Sequence, residues 1–208
     1  MRLAAGALAA GALATAALAA APRPACAQTF LTQEEALRLA FPPPADVERR
    51  TAFLTDAQRA EAGRRAGTDL ATGIVTYYVG RGADGAPLGA AWFDVHRVRT
   101  LPEAVMVVAA PDGTVRRIEV LKFAEPPEYV APERWLAQFD GRPLDGDLAL
   151  KRGIVNLTGA TLTSRAVTDA VRRALALQAV LAPFAGPGPS VGPGPPADAG
   201  SPPAAAAP

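Results

Sequence analysis

Four segments rich in β-branched and aromatic residues, arranged as two successive pairs, most constrain how this chain can fold. Within each pair the segments are joined by a turn that contains an Asp-Gly dipeptide, Asp84-Gly85 in the first and Asp112-Gly113 in the second. This dipeptide between two such segments is typical of a β-hairpin. The four predicted strands are 73–79, 88–95, 103–110 and 114–123.

Helical segments flank these hairpins on both sides. Thr32 and Glu35 have the spacing of a capping box, and the helix that they begin must end at the prolines from Pro42 onward. Further helices are predicted from Asp56 to Arg65 and from Pro132 to Phe139. Hairpins between helices indicate an α+β fold, an antiparallel sheet with flanking helices.

The last helix follows a turn of small residues. Apolar residues recur at helical spacing at positions 166, 167, 170, 171, 174 and 175, and Thr163 or Ser164 is the predicted N-cap. Segment 157–164 thus places backbone amides and hydroxyls at the positive end of the helix dipole, which suits a phosphate group. An ordinary capped helix start without a ligand is the alternative interpretation.

The motif Thr158-Gly159-Ala160-Thr161-x-Thr163-Ser164-x-Ala166-Val167 resembles the flavinylation motif of the FMN-binding domain family. This family includes the FMN-carrying subunits of the Rnf complex and of Na⁺-translocating NADH:quinone oxidoreductase. The resemblance implies that FMN is the cofactor and that a flavin transferase attaches it to Thr161 through a phosphoester. The motif usually has an Asp three residues before its first Ser or Thr, where this chain has Val155.

The resemblance also implies a set of cofactor-binding residues. Glu125 and Pro126 fit loosely a segment that lies beside the flavin in the family. A guanidinium can stabilise a phosphate or a reduced, anionic flavin, which makes Arg99 a candidate as well. The candidate residues are Thr158, Gly159, Ala160, Thr161, Leu162, Thr163, Glu125 and Arg99.

Outside these candidate residues, the reactive and metal-binding residue types of the sequence predict no catalytic or metal site. His96 is the only histidine and has neither a cysteine nor spaced carboxylates as co-ligands, so it is interpreted as a strand residue. Trp135 and Phe139 lie one helical turn apart, and core packing is favoured over a role in walling a ring-shaped ligand. The prediction is therefore an electron-carrying flavoprotein rather than a stand-alone enzyme, with an unknown redox partner. A flavin-free exported binding or scaffold module is the alternative.

The N-terminal residues 1–27 have the pattern of a secretory signal peptide. A short basic start precedes an Ala- and Leu-rich stretch, and Ala25-Cys26-Ala27 forms the cleavage site before Gln28. A retained membrane anchor is the alternative. The signal peptide predicts a periplasmic or otherwise extracytoplasmic location and removes the single cysteine.

Cleavage also changes the charge of the chain. The 21 basic residues lose Arg2 and Arg23 while all 20 acidic residues remain, so the formal charge changes from +1 to −1. Such a balance gives no support to nucleic-acid binding. The predicted organisation is a signal peptide (1–27), an N-terminal helical segment (28–69), an FMN-binding domain (70–182) and a disordered Pro/Ala/Gly-rich tail (183–208).

Overall fold

The computed structural model of the protein describes residues 28–185, and within this range the chain forms one six-stranded antiparallel sheet with four α-helices. The strands lie in the order β1-β6-β5-β4-β3-β2. The predicted α+β class is confirmed. The elements are β1 (Gln28–Thr29), α1 (Gln33–Ala40), β2 (Asp46–Phe53), α2 (Asp56–Ala66), β3 (Ile74–Arg81), β4 (Pro87–Arg97), β5 (Pro102–Ala109), β6 (Val115–Phe123), α3 (Glu133–Leu136) and α4 (Thr161–Leu181).

The two predicted hairpins form the centre of the sheet. β3 pairs with β4 and β5 pairs with β6, and β4 and β5 join the two hairpins. In the second turn, Oδ1 of Asp112 accepts a hydrogen bond from the N–H of Thr114 at 3.0 Å, and Gly113 has a φ of +86°. The Asp-Gly dipeptides thus act as the sequence predicts.

One face of the sheet packs against α2, α3 and α4. Because side chains alternate along a strand, Trp92, Val105 and Val107 point to this face and meet Val167 and Val171 of α4. Arg172 of α4 adds a polar connection. Its guanidinium donates hydrogen bonds to four backbone oxygens outside the helix, those of Arg65, Ala66, Asp145 and Leu148.

The opposite face of the sheet forms a smaller core beneath α1. Phe41, directly after α1, is 2% exposed and packs with Ala91, Met106 and Val108. A Cβ atom at Gly80 would lie 2.3 Å from the Phe41 ring, so only glycine leaves room for this contact. α1 is thereby fixed on the side of the sheet that α4 does not cover.

The predicted starts of α1 and α2 are confirmed by their capping boxes. Thr32 and Glu35 bond reciprocally at the start of α1, and Thr55 and Gln58 do so at the start of α2. Gly67 ends α2 in the left-handed conformation, with a φ of +70°.

Strand β2 was not predicted, and it lies in the segment that the sequence analysis interpreted as helical. It pairs with β3 over its whole length, from Asp46 opposite Arg81 to Phe53 opposite Ile74. Its one buried side chain is that of Arg50, which donates a hydrogen bond to the backbone oxygen of Pro183 at 3.0 Å. Residues 28–69 therefore contribute two strands to the sheet as well as two helices.

The predicted N-cap of the last helix was wrong. α4 begins at Thr161 with Ala160 as its N-cap, so Thr163 and Ser164 lie inside the first turn. Both side chains bond to backbone oxygens, Thr163 to Tyr129 at 2.7 Å and Ser164 to Ala160 at 3.1 Å. These hydroxyls connect the helix to its surroundings instead of capping it.

α4 ends at Leu181, where the composition of the sequence changes. Pro183 and Phe184 still pack on the domain. The predicted signal peptide and most of the predicted tail lie outside the described residues. Within 28–185, none of the helices combines the length and the apolar character that crossing a bilayer requires.

Candidate functional site

A cavity of about 420 Å³ lies where the first turn of α4 meets the turn between β4 and β5 and the segment that follows β6. Small-molecule sites typically have volumes of roughly 300–1,000 Å³. The cavity is lined by Val98, Arg99, Glu125, Pro126, Tyr129, Gly159, Ala160, Thr161, Leu162 and Thr163.

Seven of the eight candidate residues line this cavity, and Thr158 is the exception. The fold therefore brings Arg99 and Glu125 to the motif at 159–163, although they lie far from it in the sequence. Whether these residues hold a cofactor stays a prediction. What the structure shows is that they surround one space.

The first turn of α4 offers unpaired backbone donors to this cavity. The helix's first internal hydrogen bond runs from the N–H of Ser164 to the oxygen of Ala160 at 3.0 Å, and no side chain caps the helix. The N–H groups of Thr161, Leu162 and Thr163 thus have no acceptor within α4. Together with the dipole of a 21-residue helix they form a favourable site for an anion.

Only one of the three motif threonines combines exposure with a place on the cavity wall. Thr161 is exposed and lines the cavity. Thr158 is exposed but does not line the cavity. Thr163 is 1% exposed, and its hydroxyl donates to Tyr129. The structure therefore distinguishes Thr161 from the other two hydroxyls.

The turn before α4 is held rigidly from two sides. Gly159 has a φ of +82°, a conformation that favours glycine, and the N–H of Ala160 closes the turn on the oxygen of Leu157 at 3.0 Å. Farther back, the backbone of Val155 bonds to the side chains of Trp135 and Gln138, each at 2.7 Å. The position of Thr161 is thereby fixed relative to α3.

Glu125 organises the cavity wall opposite the helix. Its Oε1 accepts hydrogen bonds from the N–H groups of Thr100 and Leu101, at 2.7 and 2.8 Å. These bonds hold the pKa of Glu125 below its usual value. Glu125 therefore fixes the turn that carries Arg99, whose exposed guanidinium has no hydrogen-bond partner among residues 28–185.

Several residues at the cavity were not predicted as site residues. Tyr129 and Leu162 are 40% and 49% exposed and give the cavity an apolar rim. Leu162 was predicted as a site residue, whereas Tyr129 was not. Asn156, whose Nδ2 lies 2.9 Å from Oγ1 of Thr161, was also missed. For Tyr129 the signal comes only from tertiary structure, since its backbone oxygen reaches the first turn of α4 through Thr163.

His96 belongs to a different polar cluster, formed by Asp94, His96, Glu103 and Arg173, which we call the buried quartet. Nδ1 and Nε2 of His96 each lie 2.9 Å from a carboxylate oxygen, of Asp94 and of Glu103. Arg173 donates two bonds to Asp94, at 2.7 and 2.8 Å. None of these four residues lines the cavity.

The buried quartet shifts the titration of two of its members. Burial by itself would lower the pKa of His96, but the hydrogen bonds with Asp94 and Glu103 outweigh it and raise this pKa to about 9. Burial would raise the pKa of Asp94, and the bonds with His96 and Arg173 instead lower it to about 2. At neutral pH the imidazolium therefore donates to both carboxylates.

The remaining candidates have structural positions. Trp135 and Phe139 are 7% and 0% exposed, and their rings meet edge to face in the core with centroids 5.3 Å apart. They do not wall the cavity. Over residues 28–185, no group of three or more His, Cys, Asp or Glu side chains is arranged to hold a metal ion.

Comparison with known proteins bears on the segment that builds the cavity. The family model described as FMN-binding domain matches residues 102–176. This segment is thus similar to the FMN-binding domain family. The resemblance inferred from the motif is confirmed, and FMN is the cofactor that the family match indicates.

The chain was also compared with solved structures and with curated proteins. A crystal structure of NqrC from Shewanella oneidensis superposes with a TM-score of 0.47 and 17% sequence identity, covering 65% of this chain and 84% of that chain. The search of curated proteins finds no match.

The residues that line the cavity fit the chemical groups of FMN. The uncapped amides of α4 suit its phosphate, and the apolar rim of Leu162 and Tyr129 suits a flat ring system. Arg99 supplies a positive charge that no other described residue neutralises by direct contact. A cofactor of this kind would supply the redox chemistry, and the protein would hold and orient it.

Proposed function

We propose that this protein is an exported electron carrier that holds FMN in the cavity at the start of α4, with the phosphate attached to Thr161 as a phosphoester. The observation that carries the proposal is the convergence of the motif, Arg99 and Glu125 on one cavity at an uncapped helix N-terminus. The family match over residues 102–176 supports the choice of cofactor.

The chain's own residues have separable tasks in this proposal. The amides of the first turn of α4 neutralise the phosphate, and Arg99 favours a negatively charged form of the cofactor. Glu125 keeps the turn that bears Arg99 in place through its bonds to Thr100 and Leu101. Leu162 and Tyr129 exclude water from one side of the ring.

Attachment to a hydroxyl requires that a flavin transferase reach Thr161. The exposed side chain of Thr161 supports this step, because a buried hydroxyl such as that of Thr163 could not be approached. A covalent bond also suits a protein outside the cytoplasm, where a dissociated cofactor would be lost. The predicted signal peptide is the reason to propose export.

Co-expression of the protein with a flavin transferase, followed by a denaturing gel, tests the attachment. Flavin fluorescence should migrate with the wild type and vanish in Thr161→Ala, while Thr158→Ala should keep it as the matched control. Fluorescence that persists in Thr161→Ala would place the bond elsewhere. A wild type without fluorescence on the gel and without flavin absorption in its native form would favour the flavin-free module instead.

A further inference from the structure

We propose that Asn156 is a positioning residue for Thr161, and that its carboxamide orients the Thr161 hydroxyl for attachment of FMN. This inference rests on the proposed function and deepens it. The observation behind it is a contact between the two side chains, in which Nδ2 of Asn156 donates a hydrogen bond to Oγ1 of Thr161 at 2.9 Å.

The other end of the carboxamide carries the second observation. Oδ1 of Asn156 is buried and has no hydrogen-bond partner, whereas the great majority of buried polar atoms are paired. The two ends of a carboxamide have nearly the same shape, so a half-turn of this group places Oδ1 against Oγ1 of Thr161. There Oδ1 accepts the hydrogen bond of the hydroxyl.

The two orientations match the two chemical states of Thr161. The free hydroxyl has a proton to donate, and when Oδ1 accepts it, a lone pair of Oγ1 remains free to attack phosphorus. The phosphoester oxygen has no proton and can only accept, which the Nδ2 donor satisfies. An aspartate could serve the first state, but in the second its negative charge would lie beside the phosphate.

Val155 cannot perform this task although it occupies the position of the family's usual Asp. Its side chain is apolar and 73% exposed, and its backbone is bonded to Trp135 and Gln138. Asn156 is the next residue along the chain, and it contacts Thr161 directly. The hydrogen bond that this chain provides to Thr161 thus comes from the neutral amide of Asn156.

The attachment step needs a donor with a leaving group, for which we name a flavin dinucleotide such as FAD. Oγ1 of Thr161 forms a bond to the phosphorus that bears riboflavin, and the P–O bond of the pyrophosphate breaks. AMP leaves with the bonding electron pair, and the proton of the hydroxyl passes to the AMP phosphate through solvent. Nothing is oxidised or reduced. Asn156 takes no proton and only fixes the direction of the hydroxyl.

The experiment measures the rate at which a flavin transferase and FAD label the purified flavin-free protein. We expect Asn156→Ala to lower the maximal rate about tenfold at saturating acceptor protein, with KM unchanged, because one hydrogen bond to the reacting oxygen is lost. Asn156→Asp should restore labelling to near the wild-type rate, since its carboxylate accepts the same bond. Val155→Ala, the matched control, should label like the wild type.

A spectroscopic signature separates positioning from mere stabilisation of the fold. In ¹⁵N-labelled wild-type protein, the side-chain amide signal of Asn156 should shift when FMN is attached, because the carboxamide no longer accepts a hydroxyl proton and its N–H group is held as the donor to the ester oxygen. This measurement needs no variant and so remains decisive if Asn156→Ala does not fold.

Four results would overturn the inference. They are a wild-type maximal rate in Asn156→Ala, an effect on KM alone, an Asn156→Asp variant as slow as Asn156→Ala, and an amide signal that attachment leaves unmoved. A wild type that is not labelled at all would reject the covalent attachment itself and this inference with it. Equal labelling of wild type and Asn156→Ala would reject only the role of Asn156.

Discussion

The cavity at the start of α4 and the buried quartet are two polar regions of one domain that differ in how completely their groups are paired. In the quartet, Arg173 and His96 engage two carboxylates, and Oε1 of Glu103 is the one fully buried side-chain atom without a partner. At the cavity, Arg99 and the first amides of α4 have no partner within the described chain. Paired charges hold the fold together, whereas unpaired ones are available to a ligand.

This difference in pairing corrects the expectation that a lone histidine with strongly shifted pKa values around it marks a functional site. His96 is the only histidine, and its neighbourhood holds the strongest pKa shifts of the described residues, a combination that often marks a functional site. Here the shifts arise from mutual neutralisation inside a closed cluster. Stability should therefore depend on the quartet, and cofactor binding should depend on the cavity.

The largest effect is expected from Asp94→Ala. It leaves Arg173 and His96 charged and partly buried, with side-chain exposures of 16% and 11%, and the loss of one partner of a buried pair costs roughly 3–5 kcal/mol. Urea unfolding followed by circular dichroism would measure the free energy of unfolding. Glu34→Ala breaks an exposed pair with Arg38 and serves as the control, with a loss below about 1 kcal/mol. Equal losses in both variants would contradict the comparison.

The next effect is a pH dependence that comes from His96. Its pKa is raised from 6.5 to about 9 in the folded protein, so its contribution to stability is complete below about pH 6.5 and is lost as the pH rises through 9. The contribution is on the order of 3 kcal/mol. The free energy of unfolding of the wild type should fall across this range, and His96→Gln should flatten the fall. A wild-type stability that stays constant or rises from pH 6.5 to 9 would refute this assignment.

A smaller effect is expected at the cavity from Arg99→Ala. In a Thr161→Ala background, where FMN can bind only non-covalently, the affinity for FMN should fall about tenfold, as is usual when a hydrogen bond to a charged group is lost. Fluorescence titration would measure this change. The free energy of unfolding should stay within about 0.5 kcal/mol of the parent protein. A variant that loses stability but keeps its affinity would reverse the roles assigned to the two regions.

The smallest effect is expected from Glu125→Gln. The amide is a weaker acceptor than the carboxylate for the N–H groups of Thr100 and Leu101, so the free energy of unfolding should fall by about 1 kcal/mol. Because the pKa of Glu125 is lowered in the folded protein, this difference between variant and wild type should be present at neutral pH and disappear as the pH falls below the range of a free carboxyl. A difference that persists at low pH would show that Glu125 acts in another way.

The sequence predicted those parts of the fold whose signals are local. Capping boxes and Asp-Gly turns act within a few residues, and α1, α2 and both hairpins formed as expected. β2 was missed because it is an edge strand whose one buried position holds Arg50, which removes the alternation of apolar residues that marks a strand. A charged side chain can take that place because the carboxylate of Glu48 and the backbone oxygen of the distant Pro183 accept its hydrogen bonds.

At the candidate site, too, the local signals were predicted and the contacts between distant residues were not. The motif at 158–163 is local and predicted most of the helix side of the cavity, although the N-cap was misplaced because Thr163 and Ser164 turn inward to bond backbone oxygens. Arg99 and Glu125 came from chemistry and resemblance, and the fold placed them at the cavity. Tyr129 and Asn156 could not be predicted, since their roles depend on contacts that form only when α4 docks.

The four hydrogen bonds that the Arg172 guanidinium donates predict how fast the amides of α4 exchange their hydrogens for deuterium. The middle of the helix is bonded to two other stretches of chain, 65–66 and 145–148, so its amides should exchange with solvent only when the whole domain opens. The amides of Leu162 and Thr163 have no acceptor within the helix and should exchange far sooner. One helix would thus contain slowly and rapidly exchanging amides. Protection from exchange that appears only at Leu162 and Thr163 would report binding of the cofactor.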